Sequence, residues 1–414
     1  MFDVWGTAYR RLAESHAASV VGDGLFAVAL AGTLFFAVPS TDARQNVALY
    51  LVLTLAPFAV VGPLLGRLFE RAPAAYRAGL AVSGVGRALI ALATLFLVDS
   101  LLLFPLAFTL LVLSRFAGIS RSSVLPVVVG DPAALVHANA RLARIGVLSA
   151  AATLPLGALL VALVGPAGGL VPAAAAYVAS ALGAVQLPRV SVPRTVRPTA
   201  GGRASIPRRV RLALFATAGV RFLNGFLVLL VAFAFRDVDA GVLSLGAILG
   251  AAGVGFFLAA WSAPLLGGFV PEEPMVVAAL AVEAGAAFIA AQVFDLSSTT
   301  VLVAAMVLAG AAGFAWGTAK FGFDGLLQST VLPGARGRAF TLTETVFQMA
   351  WVVGALVPVL PILPTGFGLA SAGVLALVIQ VVYVTLVLLP EANRWQERPS
   401  RRAEEPGQGV LDLL

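Results

Sequence analysis

The chain contains no cysteine and only two histidines, and 11% of its 414 residues are charged. Without cysteine there is no disulfide, no thiolate metal site and no cysteine nucleophile. His16 and His137 alone do not supply a histidine-built metal cluster. No Walker motif occurs, so ATP is not expected to be the energy source. A cleavable leader is not expected either. Residues 1–15 hold Asp3, Arg10, Arg11 and Glu14, and no small-residue cleavage site follows a short apolar run. Scarcity of charge says most. Soluble domains carry about 25% charged residues, more than twice this share, so water is not the solvent for most of the surface.

What the chain has is hydrophobic length: 60% of its residues are apolar. Stretches of about 18 apolar residues cross a bilayer core about 30 Å thick. About twelve are readable, near 12–37, 47–67, 78–98, 101–125, 141–164, 168–187, 211–235, 242–268, 275–294, 299–326, 338–361 and 366–389. A helix satisfies its own backbone hydrogen bonds in lipid, and the alternating ten-residue segments of a membrane barrel are absent. The fold class expected is therefore an all-α polytopic membrane protein.

The net charge of +7 follows the topology rather than a nucleic-acid surface. With the N-terminus inside and sides alternating at each span, 21 of the 27 Lys and Arg fall on cytoplasmic segments. Only Arg44 and Arg236 fall outside, and four basic residues lie within spans. The positive-inside rule then places both termini in the cytoplasm of a multi-pass cell-membrane protein, with lipid headgroups as secondary partners. Residues 189–210 are rich in Pro, Arg, Gly and Ser and have no acidic residue, which reads as a basic cytoplasmic linker. It divides an N-terminal six-helix half (1–188) from a C-terminal half (211–390), with a polar tail at 391–414. The halves carry signs of duplication. Pro63-Leu64-Leu65-Gly66 and Pro264-Leu265-Leu266-Gly267 are 201 residues apart, and the same offset relates Asp23-Gly24 to Asn224-Gly225 and Arg10 to Arg211.

Two hydrophobic six-span halves, with Gly62-Pro63-Leu64-Leu65-Gly66-Arg67-Leu68-Phe69-Glu70-Arg71 between spans two and three, resemble the major facilitator superfamily over about residues 10–390. Its signature there reads Gly-x-Leu-Ala-Asp-Arg-x-Gly-Arg-Arg/Lys. Gly62, Leu64, Arg67 and Arg71 fit it, Gly66 replaces the Asp, and Glu70 replaces an Arg. Leu154-Pro155-Leu156-Gly157-Ala158 is similar to the antiporter motif of span five, and Arg115-Phe116-Ala117-Gly118 to the Arg-containing motif of span four. The general look is that of the drug-efflux-like branch. The resemblance implies a substrate site between the halves near the midplane. It also implies a gating loop at Gly62, Arg67 and Arg71, and a cavity lined by spans one, four, seven and ten.

Ionisable residues inside spans are costly and point to function. Asp23 lies about 16 Å along span one at 1.5 Å per residue. Arg115 is in span four, Arg221 in span seven, and Lys320 and Asp324 in span ten, with Asn224 as the repeat counterpart of Asp23. Lys320 and Asp324 are four apart and share a helix face. Asp23 with Arg115 is read as the proton-coupling site, by pairing that an added proton would release. Its alternative is a hydrogen bond that fixes packing near Gly22 and Gly24. Arg221, Asn224, Lys320 and Asp324 are assigned to the substrate cavity, where Arg221 could pair with Asp324. Glu344 is expected to snorkel at the cytoplasmic end, His16 to be solvated, and Arg87 and Glu283 have no evident partner. The glycines at 246, 250, 253 and 255 of span eight suggest close helix packing.

The function these residues support is secondary transport by alternating access, as proton-coupled export of a small amphipathic molecule. Uptake or facilitated diffusion of an anionic solute is the alternative, as is a non-transporting sensor or scaffold on a degenerate transporter fold. No enzyme constellation, cofactor, metal or nucleic-acid partner is expected. The partners are a small-molecule substrate, protons and lipid, and the chain is expected to be a monomer.

Overall fold

The structure, a computed structural model, describes residues 5–30, 76–98, 100, 102–188, 206–236, 242–266, 272–293, 298–359 and 364–396. The second span at 47–67 and the loop carrying Gly62, Arg67 and Arg71 lie outside the described residues, as does the first member of the repeat at 63–66. Every long element described is a helix. Ten are long and apolar enough to cross a membrane, from Tyr76–Leu97 to Thr365–Val387. The helix Gly6–Leu30 lies where the first span is expected.

Span numbers below follow the sequence. The third and fourth spans are Tyr76–Leu97 and Leu103–Val129; the fifth and sixth are Leu135–Val164 and Ala167–Val185. The seventh to ninth are Arg208–Arg236, Val242–Leu266 and Glu272–Val293. The tenth to twelfth are Ser298–Thr330, Pro333–Leu356 and Thr365–Gln396. Local chemistry sets the breaks. Gly130, at φ 75°, ends span four in the left-handed conformation that glycine adopts without a Cβ clash. Asp131 then accepts from the Ala133 N–H at 2.9 Å to start the short 3-10 turn Pro132–Ala134. This tight hairpin turns span five back beside span four.

The apolar surface faces outward. Phe96, Leu163 and Ile289 are 86%, 71% and 65% exposed, as suits side chains whose solvent is lipid. Polar groups turn inward, including Arg87, Glu283 and Gln328 at 1%, 1% and 0% exposure. Without a hydrophobic force between helices in lipid, close approach depends on small residues. In the first half Gly24 faces Thr153, and Gly157 faces Leu25, where spans one and five cross. The equivalent crossing of spans seven and eleven is tighter. Gly225 lies against the Trp351 carbonyl and Gly354 against that of Phe222. The duplication thus survives as one helix crossing built twice.

Of the span-eight glycines, Gly255 packs against Gly310 of span ten, whereas Gly246, Gly250 and Gly253 have no heavy atom within 4 Å of a built Cβ. The packing role expected of all four belongs to Gly255. Substituting Gly354→Leu would drive a side chain into backbone, and the strain should exceed the ~1–3 kcal/mol of ordinary overpacking. The expected result is loss of the monodisperse folded species in size-exclusion chromatography. Gly250→Leu should leave the elution profile and melting temperature unchanged. Equal behaviour of the two variants would show that the crossing is not tight.

The halves meet at the end where the odd-numbered spans begin. Gln328 of span ten links two helices of the first half. Its side chain accepts from Asn139 Nδ2 at 2.6 Å and donates to the Ser122 carbonyl at 2.9 Å. The Gly337 N–H donates to Tyr76 Oη at 3.2 Å. Val136 and Ala140 of span five pack with Ala259, Ala263, Met275 and Phe321. The same end holds the Arg209–Glu273 ion pair between spans seven and nine.

Candidate functional site

Above this closed end lies a cavity of about 940 Å³ between the halves. Its wall follows span one from Leu12 to Leu30 and includes residues of spans four, five, seven, ten and eleven. Among the described residues, five basic side chains line it (Arg87, Arg115, Arg121, Arg221 and Lys320) against three acidic ones (Asp23, Asp324 and Glu344). Its apolar wall includes Phe26, Phe321 and Trp316.

Asp23 is held by one oxygen. Its Oδ1 accepts from Arg87 Nη1 at 3.2 Å, Ser114 Oγ at 3.0 Å and Tyr177 Oη at 2.8 Å. The side chain remains 40% exposed toward the cavity, while Arg87 is 1% exposed. Arg87 also donates to Ser19 Oγ at 2.9 Å and lies 4.6 Å from the centroid of the Tyr177 ring. Sequence reasoning paired Asp23 with Arg115; the structure gives it Arg87 of span three instead. Gly22 makes this possible, because a Cβ there would overlap the Tyr177 ring, whose Cε1 is 2.6 Å away.

The second cluster is legible in part. Lys320 Nζ donates to Asp324 Oδ1 at 2.5 Å, as the four-residue spacing requires. It also donates to Glu344 Oε1 of span eleven at 2.8 Å. Glu344 therefore lines the cavity rather than snorkelling from its end. Arg221 does not pair with Asp324. Its guanidinium lies 4.5 Å from the Trp316 ring centroid and 5.7 Å from that of Trp351. Arg115 is exposed to the same cavity, and both arginines are within electrostatic range of Glu344.

Asn224 is corrected from a cavity residue to a buried link at 8% exposure. Its Nδ2 donates to Glu283 Oε1 at 3.0 Å and to the Val220 carbonyl at 3.1 Å. Thus both residues left without partners find them on the first span of their own half: Arg87 with Asp23, Glu283 with Asn224. His16, expected in solvent, lines the cavity; Arg121 Nη1 lies 2.7 Å from its Nδ1. Sequence carries only part of the signal for these pairs: a charge inside an apolar span needs a partner, but the spacing does not say which helix supplies it. Among the described residues no group of three or more His, Asp or Glu is placed to hold a metal ion.

This arrangement of two helical halves around a polar cavity has close counterparts among solved structures. A bacterial homologue of the iron transporter ferroportin, in an outward-facing state, superposes with a TM-score of 0.68 at 18% identity, over 91% of this chain and 98% of that one. A major facilitator superfamily transporter, FucP of E. coli, matches in its outward conformation with a TM-score of 0.62 at 13% identity, over 90% and 97%. The chain has the major facilitator fold. The human organic anion transporter MFSD10 shares it, with a TM-score of 0.63 at 14% identity, over 90% and 98%.

In sequence, an uncharacterized protein of Mycobacterium leprae is 30% identical over 380 residues, 82% of this chain. The chain spans 64% of that relative's length. An uncharacterized Mycobacterium tuberculosis protein is 39% identical over 133 residues, which is 30% of this chain and 24% of that protein. No family model matches the sequence. The major facilitator fold supplies twelve spans in two halves, in accord with the count read from hydropathy.

Proposed function

We propose that this chain is a secondary transporter that works by alternating access, exchanging protons for a small amphipathic molecule. The observation that carries this reading is the cavity itself, which lies between two pseudo-repeated halves and is closed at one end by contacts between them. The units of this machine would be the halves 1–188 and 211–390 joined by the basic linker 189–210, with the tail at 391–414. The arginine bias puts the closed end in the cytoplasm, so the described state faces outward. The outward-facing neighbours support the same assignment. Opening the closed end would require Gln328 to release Asn139 and Ser122.

Asp23 suits proton coupling. One carboxylate oxygen is anchored by three donors, and the group keeps exposure to the cavity, from which a proton can arrive. Arg115 would act through the field of the cavity rather than as its ion-pair partner. The drug-efflux-like assignment and export as the direction belong to this proposal. The gating role of Gly62, Arg67 and Arg71 belongs to it also. A second reading, uptake or facilitated diffusion of an anionic solute, is favoured by the excess of basic over acidic side chains on the wall.

Vesicles containing the purified chain, with an imposed pH gradient, separate these readings. A permanently charged aromatic probe such as 2-naphthalenesulfonate avoids passive movement as a neutral acid. Proton exchange accumulates the substrate on the acidic side, proton cotransport on the alkaline side, and facilitated diffusion on neither. Absence of protein-dependent flux for anionic, neutral and cationic naphthyl probes alike would remove the transporter reading.

A further inference from the structure

We infer that Arg221, backed by Trp316 and Trp351, is the anchor of a binding site for the anionic head of an amphipathic organic molecule. The inference rests on reading the cavity as a substrate site and names the class of substrate.

Among the described residues, the three acids of the cavity are already engaged. Asp23 is bonded to Arg87, and Asp324 and Glu344 are bonded to Lys320. Arg221 has none of them: among the described residues its guanidinium contacts are the two indole rings, at 4.5 and 5.7 Å. Glu344 is within electrostatic range of Arg221, but its hydrogen bond goes to Lys320. A guanidinium over an indole face gains cation–π attraction, while its N–H fork remains able to donate. That fork matches the two oxygens of a carboxylate or sulfonate. Partial burial matters as well, because water screens less of the attraction there than on an open surface.

The surroundings add the apolar half of the recognition. Trp316 lines the cavity and meets Phe347 edge-to-face at 5.7 Å and 83°. A flat hydrophobic body can therefore lie along aromatic side chains while its anionic end reaches Arg221. A cation of the same shape would meet the unneutralised guanidinium, and repulsion would exclude it. An anionic lipid headgroup offers the same chemistry as a soluble sulfonate, and membrane composition separates the two.

The test is calorimetric titration of the purified chain in phosphatidylcholine nanodiscs with 2-naphthalenesulfonate, the neutral sulfonamide and a naphthyl-trimethylammonium cation. Wild type should bind the sulfonate saturably and the other two much more weakly. Arg221→Gln should weaken sulfonate binding roughly ten- to hundredfold, as expected for loss of a charged hydrogen-bond partner. Arg221→Lys should lose less, since it keeps the charge without the fork. A thermal melt checks that both variants fold, and Arg221→Lys provides the reading if Arg221→Gln does not.

Undiminished sulfonate binding in a folded Arg221→Gln protein would overturn the site. So would equal binding of the cation, or no sulfonate binding by wild type in phosphatidylcholine. Loss of the sulfonate heat on adding phosphatidylglycerol would identify lipid as a competing source of the same anion. Vesicle flux distinguishes this inference from the transporter reading. Binding without flux retains the anion site and removes transport; flux confined to cationic probes does the reverse.

Discussion

Asp23→Asn is expected to abolish gradient-driven accumulation of substrate while leaving energy-independent exchange intact. Each pH unit is worth about 1.36 kcal/mol per proton, so one-for-one coupling sustains about a tenfold substrate ratio per unit. A gradient of about two units should thus give roughly a hundredfold ratio in wild-type vesicles and a ratio near one in the variant. Asparagine retains an oxygen for the donors now held by Oδ1, but it cannot take up a proton at neutral pH. Arg87, at 1% exposure, would lose its counter-charge while keeping an acceptor. A stability loss of about 1–3 kcal/mol is expected from that change.

Counterflow of labelled substrate separates loss of coupling from loss of fold, because it needs the cavity and its alternation but no proton gradient. Tyr177→Phe is the matched control. It removes one donor to Oδ1 and retains the carboxyl, so accumulation should persist. An unchanged ratio in Asp23→Asn would move the coupling site elsewhere, with the Lys320 cluster as the remaining group of cavity acids.

The spans were legible because hydropathy is a property of consecutive residues, and the bilayer imposes one length on all of them. Lys320–Asp324 was legible because a helix fixes the geometry of residues four apart. Asp23–Arg87 was not. Its partners are 64 residues apart in sequence, and their meeting depends on the rotation of spans one and three about their own axes. Gly22 leaves room for Tyr177 of span six, which also donates to Asp23, a contact no apolar periodicity reveals. The assignment of Asn224 to the cavity failed for a related reason. Repeat symmetry transfers position in a half, but Asp23 borders the cavity while Asn224 turns to Glu283. In both halves the first span is tied to the third by a polar pair, with the acid on opposite partners.

Lys320→Met should destabilise the fold more than any other single substitution in the cavity. Lys320 Nζ is the shared donor to Asp324 and Glu344, with the three side chains 16%, 9% and 29% exposed. Removing one member of a buried ion pair costs about 3–5 kcal/mol, because the remaining charge stays desolvated. Here two carboxylates would remain together without their cation. Glu344 keeps contact with cavity water, so the lower part of that range, about 3 kcal/mol, is expected. For a chain of this size the corresponding fall in melting temperature is roughly 3–4 °C. Adding Glu344→Gln should recover part of it, since the second change removes like-charge repulsion created by the first. The decisive measurement is a double-mutant cycle by thermal melt in detergent. Because the residues touch, the paired effects should depart from additivity by more than about 0.5 kcal/mol. Additive effects would mean that Lys320 and Glu344 act independently, and that the tie between spans ten and eleven contributes nothing to the cavity wall.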